Sequence, residues 1–71
     1  MEINNLEDFA EFIKAYRHDN RLSQIQLEEK TNVPQPRISQ IEKGVKVGFE
    51  NYRRIISGLG LTLTLSEKLK Q

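Results

Sequence analysis

The sequence contains no cysteine, and this absence removes two common supports of a small fold. Disulfides cannot form, and a cysteine-based zinc site is excluded. A chain of 71 residues buries only about 60% of the surface that its unfolded form exposes, so its own core is marginal. Association into a dimer is the remaining common source of stability.

Long apolar runs are also missing. No run approaches the roughly 20 residues that cross a bilayer. The first residues, Met1 to Asn5, show no basic stretch followed by an apolar one, so no signal peptide is expected. The sequence therefore predicts one cytoplasmic domain over residues 1–71.

The chain has few of the residues on which catalysis depends. It has one histidine, no glycine-rich phosphate loop, and carboxylates scattered along its length. The histidine, His18, is expected at a helix end, where the helix dipole favours its charge. We therefore predict neither an enzyme nor a metal or cofactor site.

The net charge is only +1, but the charges are unevenly distributed. Residues 1–20 hold two basic against five acidic side chains, whereas residues 21–71 hold nine basic against five acidic ones. Such an asymmetry permits one basic face on a nearly neutral protein. By itself it is equally compatible with a solvated surface of mixed charge.

Apolar residues at three- and four-residue spacing predict two helices in the first half of the chain. The first follows Asn5, a suitable N-cap, and ends near His18. The second follows the N-cap Ser23 and covers 24–31, with Asn32 at its end because asparagine tolerates the left-handed conformation.

Two further helices and a strand are predicted in the second half. The third helix begins near Gln35, after the extended step at Pro34, and ends at Gly44. The fourth covers 49–59. After it the period changes to two, which is typical of a strand over 61–66. We expect an all-α bundle of four helices, preceded by a short lead (1–5), with one C-terminal strand that pairs across a dimer. The strand residues are Leu61, Thr62, Leu63, Thr64 and Leu65.

The second and third helices, joined by a tight turn, fit a DNA-reading unit. One such helix lies across the phosphates and the other enters the major groove. Glutamine pairs with adenine and arginine with guanine through the base edges in that groove. The outward polar positions of the third helix are candidates for base contact, with a solvated helix face as the alternative: Gln35, Arg37, Ser39 and Gln40.

The pattern Leu22-Ser23-Gln24 … Ile38-Ser39-Gln40-Ile41-Glu42-Lys43-Gly44 resembles the Cro/C1 (XRE) helix-turn-helix family of phage repressors. The resemblance covers about 9–61. It implies a compact helical bundle that reads bases with the third helix. It also implies phosphate contacts from Ser23, Gln24, Lys43 and Lys46, and an internal ion pair between Arg17 and Glu42.

The sequence departs from the family pattern at four positions. Glu28 stands where alanine is usual, so we expect its side chain to turn sideways or the two helices to stand slightly apart. Asn32 replaces the usual glycine of the turn. Pro34 and Pro36 replace residues that commonly cap the third helix or contact DNA.

The C-terminal run 60–65 resembles that of HipB-type antitoxins, in which a short strand joins two subunits. This resemblance implies an antitoxin that represses its own operon at a palindromic operator and binds a HipA-like kinase toxin. A stand-alone repressor without a toxin remains open, as does an interaction module that has lost DNA binding. For the run itself, a fifth helix or a tail folded over its own core are the alternatives to a shared strand.

Overall fold

The computed structural model describes residues 3–61, which form four α-helices. These are α1 (Leu6–Asp19), α2 (Gln24–Thr31), α3 (Gln35–Glu42) and α4 (Phe49–Gly58). α3 packs against both α1 and α2, and α2 also packs against α4. The predicted four-helix bundle is confirmed. The predicted strand lies outside the described residues except for Leu61, which follows α4 in no regular element.

Side-chain caps start the first two helices. The Asn5 side chain accepts a hydrogen bond from the Asp8 amide at 2.8 Å. Ser23 and Gln26 form a reciprocal capping box at the start of α2. Each cap satisfies backbone donors that have no acceptor within the helix, which is why these helices begin where the sequence predicts.

The helix ends differ slightly from prediction. α3 ends at Glu42 rather than at Gly44, because the chain turns at Lys43 and Gly44 takes a positive φ of 78°. α4 ends at Gly58, one residue before the predicted Leu59. Asn32 closes α2 in the left-handed region, with a φ of 62°.

The core lies between the inner faces of all four helices. Ile38 and Ile41 anchor α3 there, and the ring of Phe9 meets Tyr52 edge-on with centroids 5.3 Å apart. The outer face of α3 is thereby directed away from the core. No helix within residues 3–61 is long and apolar enough to span a membrane. The buried apolar cluster comprises Phe9, Ile13, Leu27, Val33, Ile38, Ile41 and Ile55.

Candidate nucleic-acid interface

The outer face of α3 carries the four polar side chains that the sequence singles out. Arg37 is exposed, whereas Gln35, Ser39 and Gln40 are half-buried. Arg37 Nη1 donates a hydrogen bond to Gln40 Oε1 at 2.8 Å, across one turn of the helix. The guanidinium and the amide are therefore held side by side at the surface.

A second polar pair links the starts of α2 and α3. Gln35 Nε2 donates to Gln24 Oε1 at 2.6 Å, and Gln24 Nε2 donates to Glu42 Oε1 at 3.3 Å. The side chain of Gln24 is thus laid over α3 instead of extending freely from the first turn of α2. It orients Gln35 before any ligand arrives.

The Arg17–Glu42 ion pair implied by the resemblance is present. Arg17 Nε and Nη2 donate to the two carboxylate oxygens of Glu42 at 2.9 and 3.0 Å, and Arg17 Nη1 donates to the Leu22 carbonyl at 3.1 Å. Glu42 is only 8% exposed. The hydrogen bond to Glu42 raises the pKa of Arg17 above its ordinary value, so the guanidinium stays charged. It joins α1, the end of α3 and the segment before α2.

Glu28 makes a contact that the sequence did not predict. Its carboxylate is turned toward α3, where Oε1 accepts a hydrogen bond from the Gln35 amide at 2.7 Å. Pro34, the N-cap residue of α3, supplies no side-chain cap. Glu28 therefore occupies a defined position at the start of α3, which sequence reasoning missed. Two features of the sequence could have indicated it. A glutamate stands where the family pattern has a small residue, and the N-cap residue has no side-chain acceptor.

The candidate phosphate-binding residues lie at the ends of α2 and α3. Ser23 is exposed, and its Oγ accepts from the Gln26 amide at 3.0 Å, which leaves the hydroxyl hydrogen for a ligand. Lys43 is the exposed C-cap residue of α3, and Lys46 is exposed in the segment before α4.

Positive charge on α4 is offset only in part, because two arginines share one carboxylate. Arg53 and Arg54 both donate to the Glu50 carboxylate. These contacts, above all the hydrogen bonds from Arg53, lower the pKa of Glu50 to about 2. Arg37, in contrast, bonds the neutral Gln40. Arg37 thus hydrogen-bonds to a neutral side chain, whereas Arg53 and Arg54 hydrogen-bond to a carboxylate. Residues 3–61 contain no group of three or more potential metal ligands.

A family model described as Helix-turn-helix matches residues 13–66, which is more than half of the chain. The chain belongs to the Cro/C1-type helix-turn-helix family. Comparison with curated proteins and with solved structures gave no match.

In this helix-turn-helix protein, α2 and α3 form the motif and residues 32–34 form its turn. The turn is internally satisfied, because Thr31 Oγ1 donates to the Leu27 carbonyl at 2.8 Å and accepts from the Val33 amide at 3.3 Å. Val33 is fully buried. The angle between the two helices is thus fixed by packing and hydrogen bonds, and the family supports a DNA-binding regulator.

Proposed function

We propose that this protein is a transcriptional repressor that binds a palindromic operator as a homodimer and reads it through α3. The observation that carries the proposal is the paired Arg37 and Gln40 on the outer face of α3, one turn from the oriented Gln35. Base-reading side chains in a helix-turn-helix occupy this part of the second helix.

The chemistry of these side chains suits the major groove. Arg37 has five donors, of which Gln40 uses one, so four remain, and two of these can pair with the O6 and N7 atoms of a guanine. Gln35 retains its Oε1 and one Nε2 hydrogen, a pair that complements the N6 and N7 atoms of adenine. Gln40 offers its amide nitrogen and Ser39 its hydroxyl at neighbouring positions.

Phosphate contacts would position α3 on the duplex. Ser23 and Gln24 lie at the start of α2, where unpaired helix amides and the dipole favour anions. Lys43 and Lys46 add positive charge beyond the end of α3. Such contacts set register and affinity, whereas the base contacts set sequence preference.

The experiment starts with operators recovered from a pool of random duplexes and compares two recognition-helix variants, Arg37→Ala and Gln40→Ala, with a control that loses one positive charge as Arg37→Ala does. Arg37→Ala is expected to cost roughly 1–3 kcal/mol on the selected site and to relax the preference at one base position. Gln40→Ala should act likewise at a neighbouring position. Gel-shift titrations on single-base operator variants measure both effects.

Lys46→Ala is the matched control. It should weaken binding about equally on all duplexes and lower the salt dependence by about one phosphate contact. Gln24→Ala is a poorer control, because Gln24 also holds Gln35. If both recognition-helix variants keep the affinity and base preferences of the wild type, α3 is not the reading helix.

The homodimer is supported by apolar surface near the end of the described chain. Phe49 is 72% exposed and lines a shallow groove with Tyr52, Ile56 and Leu61. The alternation of leucine and threonine over 61–65 favours a strand that pairs with its copy about a two-fold axis. A two-fold protein matches a palindromic site with half-sites about one helical turn apart.

The same run supports an antitoxin role within this function, through its similarity to HipB-type antitoxins. The repressor would then control its own operon and bind a HipA-like kinase toxin. We then expect a kinase-like reading frame beside this one. Its product should co-purify with the protein and should lose its toxicity when the two are co-expressed. A neighbourhood without such a frame would favour the stand-alone repressor.

A further inference from the structure

We propose that Glu28 is the positioning residue of the recognition helix: its carboxylate acts as the N-cap of α3 from a neighbouring helix. The inference rests on the proposed function in one respect, that α3 reads DNA. Its structural part, the cap itself, stands on contacts within the protein.

The backbone donors of the first turn of α3 show why an external cap is needed. A helix leaves its first amides without intrahelical acceptors. Pro36 has no amide hydrogen, and the Arg37 amide bonds back to the Pro34 carbonyl at 2.8 Å. The remaining donor is the Gln35 amide, and Glu28 Oε1 accepts it at 2.7 Å. Glu28 thus completes the first turn.

Charge reinforces the hydrogen bond. The first turn of α3 contains no acidic residue, so none of its own side chains complements the positive end of the helix dipole. Glu28 brings a carboxylate to that end from α2, and the contact is partly buried, which strengthens it relative to an exposed one.

The consequence for recognition falls on Gln35. Its backbone is held by Glu28, and its side chain is held by Gln24 at 2.6 Å. A candidate base-reading residue is therefore fixed at two points before DNA binds. If the first turn frays, the fraction of binding-competent protein falls and the apparent affinity falls by the same factor.

The cap is tested first without DNA, by NMR on the full chain. Glu28→Ala is expected to speed hydrogen exchange of the Gln35 amide about tenfold, whereas Glu28→Gln retains an acceptor oxygen and should keep most of the protection. The Gln26 amide, capped by Ser23 at 3.0 Å, is the internal control and should not change. Glu28 is half-buried and lies outside the apolar cluster, so the alanine variant is expected to fold.

The effect on recognition is measured as the ratio of affinities for the selected operator and for a shuffled duplex. Glu28→Ala should lower this ratio by several-fold, up to about tenfold, with Glu28→Gln close to wild type.

Three results would overturn the proposal. If the Gln35 amide exchanges at the same rate in Glu28→Ala as in the wild type, Glu28 does not cap α3, whether or not the protein binds DNA. A rise in operator affinity in both Glu28 variants would show that the carboxylate merely repels phosphate. A loss of the ratio in Glu28→Gln, with the Gln35 amide protected as in the wild type, would assign Glu28 a contact with DNA in place of a positioning role. Absence of any operator preference in the wild type, with the cap intact by NMR, would instead contradict the proposed function.

Discussion

Glu42 is a charged residue at the edge of an apolar core, and three donors share its carboxylate. Arg17 provides two of them and Gln24 the third, at 3.3 Å. Removing one partner of such a pair leaves a buried charge uncompensated, whereas replacing both partners by apolar side chains of similar size is often close to neutral. The ion pair is therefore expected to determine how α1 and α3 are arranged more than it raises the net free energy of unfolding.

A double-mutant cycle measures this difference. Arg17→Met is expected to lower the free energy of unfolding by about 3 kcal/mol, because the buried carboxylate of Glu42 loses its main partner. Arg17→Met combined with Glu42→Leu should return to within about 1 kcal/mol of the wild type. Urea unfolding followed by circular dichroism gives both values. Equal losses in the single and the double variant would contradict the account of this pair.

At the scale of the helices, α4 comes very close to the end of α2 at Gly58. A Cβ atom added at Gly58 would lie 2.9 Å from both the Lys30 carbonyl oxygen and the Thr31 Cα. These are backbone atoms, which cannot move aside as the end of a side chain can. The close contact also holds α2, and hence the helix-turn-helix motif, against α4.

Gly58→Ala is therefore expected to lower the free energy of unfolding by about 2–3 kcal/mol. In a domain of this size that is a fall in Tm on the order of 10 °C or more. Ser57→Ala is the matched control in the same helix: Ser57 is exposed, and its loss should change stability by less than about 0.5 kcal/mol. If calorimetry gives the same Tm for both variants, Gly58 does not lie as close to the backbone of α2 as described.

The helices themselves were predictable from the sequence, because each carries its apolar residues at helical spacing and two begin at good N-caps. Asn5 and Ser23 cap α1 and α2 as their residue types suggest. The end of α3 was less predictable, since Lys43 and Gly44 leave the helix through a local turn that periodicity does not register.

The contacts of the site depend on how two helices cross, and no local pattern encodes that. The outward row of α3 follows from its period, so the candidate base-reading residues were available from the sequence. The bonds from Glu28 to Gln35 and from Gln35 to Gln24 join residues seven and eleven positions apart on different helices. Their existence required the packing of α2 on α3.

For the whole molecule, a small core and exposed apolar side chains favour association. Phe49 is mostly exposed, and the predicted strand follows α4. Thr64→Pro removes a backbone donor from the proposed shared sheet and should weaken dimerisation. Thr64→Val keeps that donor and should dimerise as the wild type does. Sedimentation at micromolar concentration gives the result, and a monomeric wild type or an equally tight dimer of the proline variant would contradict the shared strand.

Overall charge limits how the protein can bind DNA. With a net charge of +1, binding to arbitrary duplexes should be weak and should fall steeply with added salt. Under the proposed function, tight binding comes from base contacts on α3 and from two half-sites engaged together. This nearly neutral protein is therefore expected to be highly selective for its operator over other duplexes.

The most direct test of the central claim is the ratio of affinities for a selected palindromic operator and for a shuffled duplex of the same composition, at physiological salt. A protein that reads sequence through α3 should prefer the operator by at least about 10³-fold. Shortening the spacing between half-sites by half a helical turn should abolish most of that preference, because the two recognition helices would face opposite sides of the duplex. Equal affinity for the operator and the shuffled duplex would contradict the account.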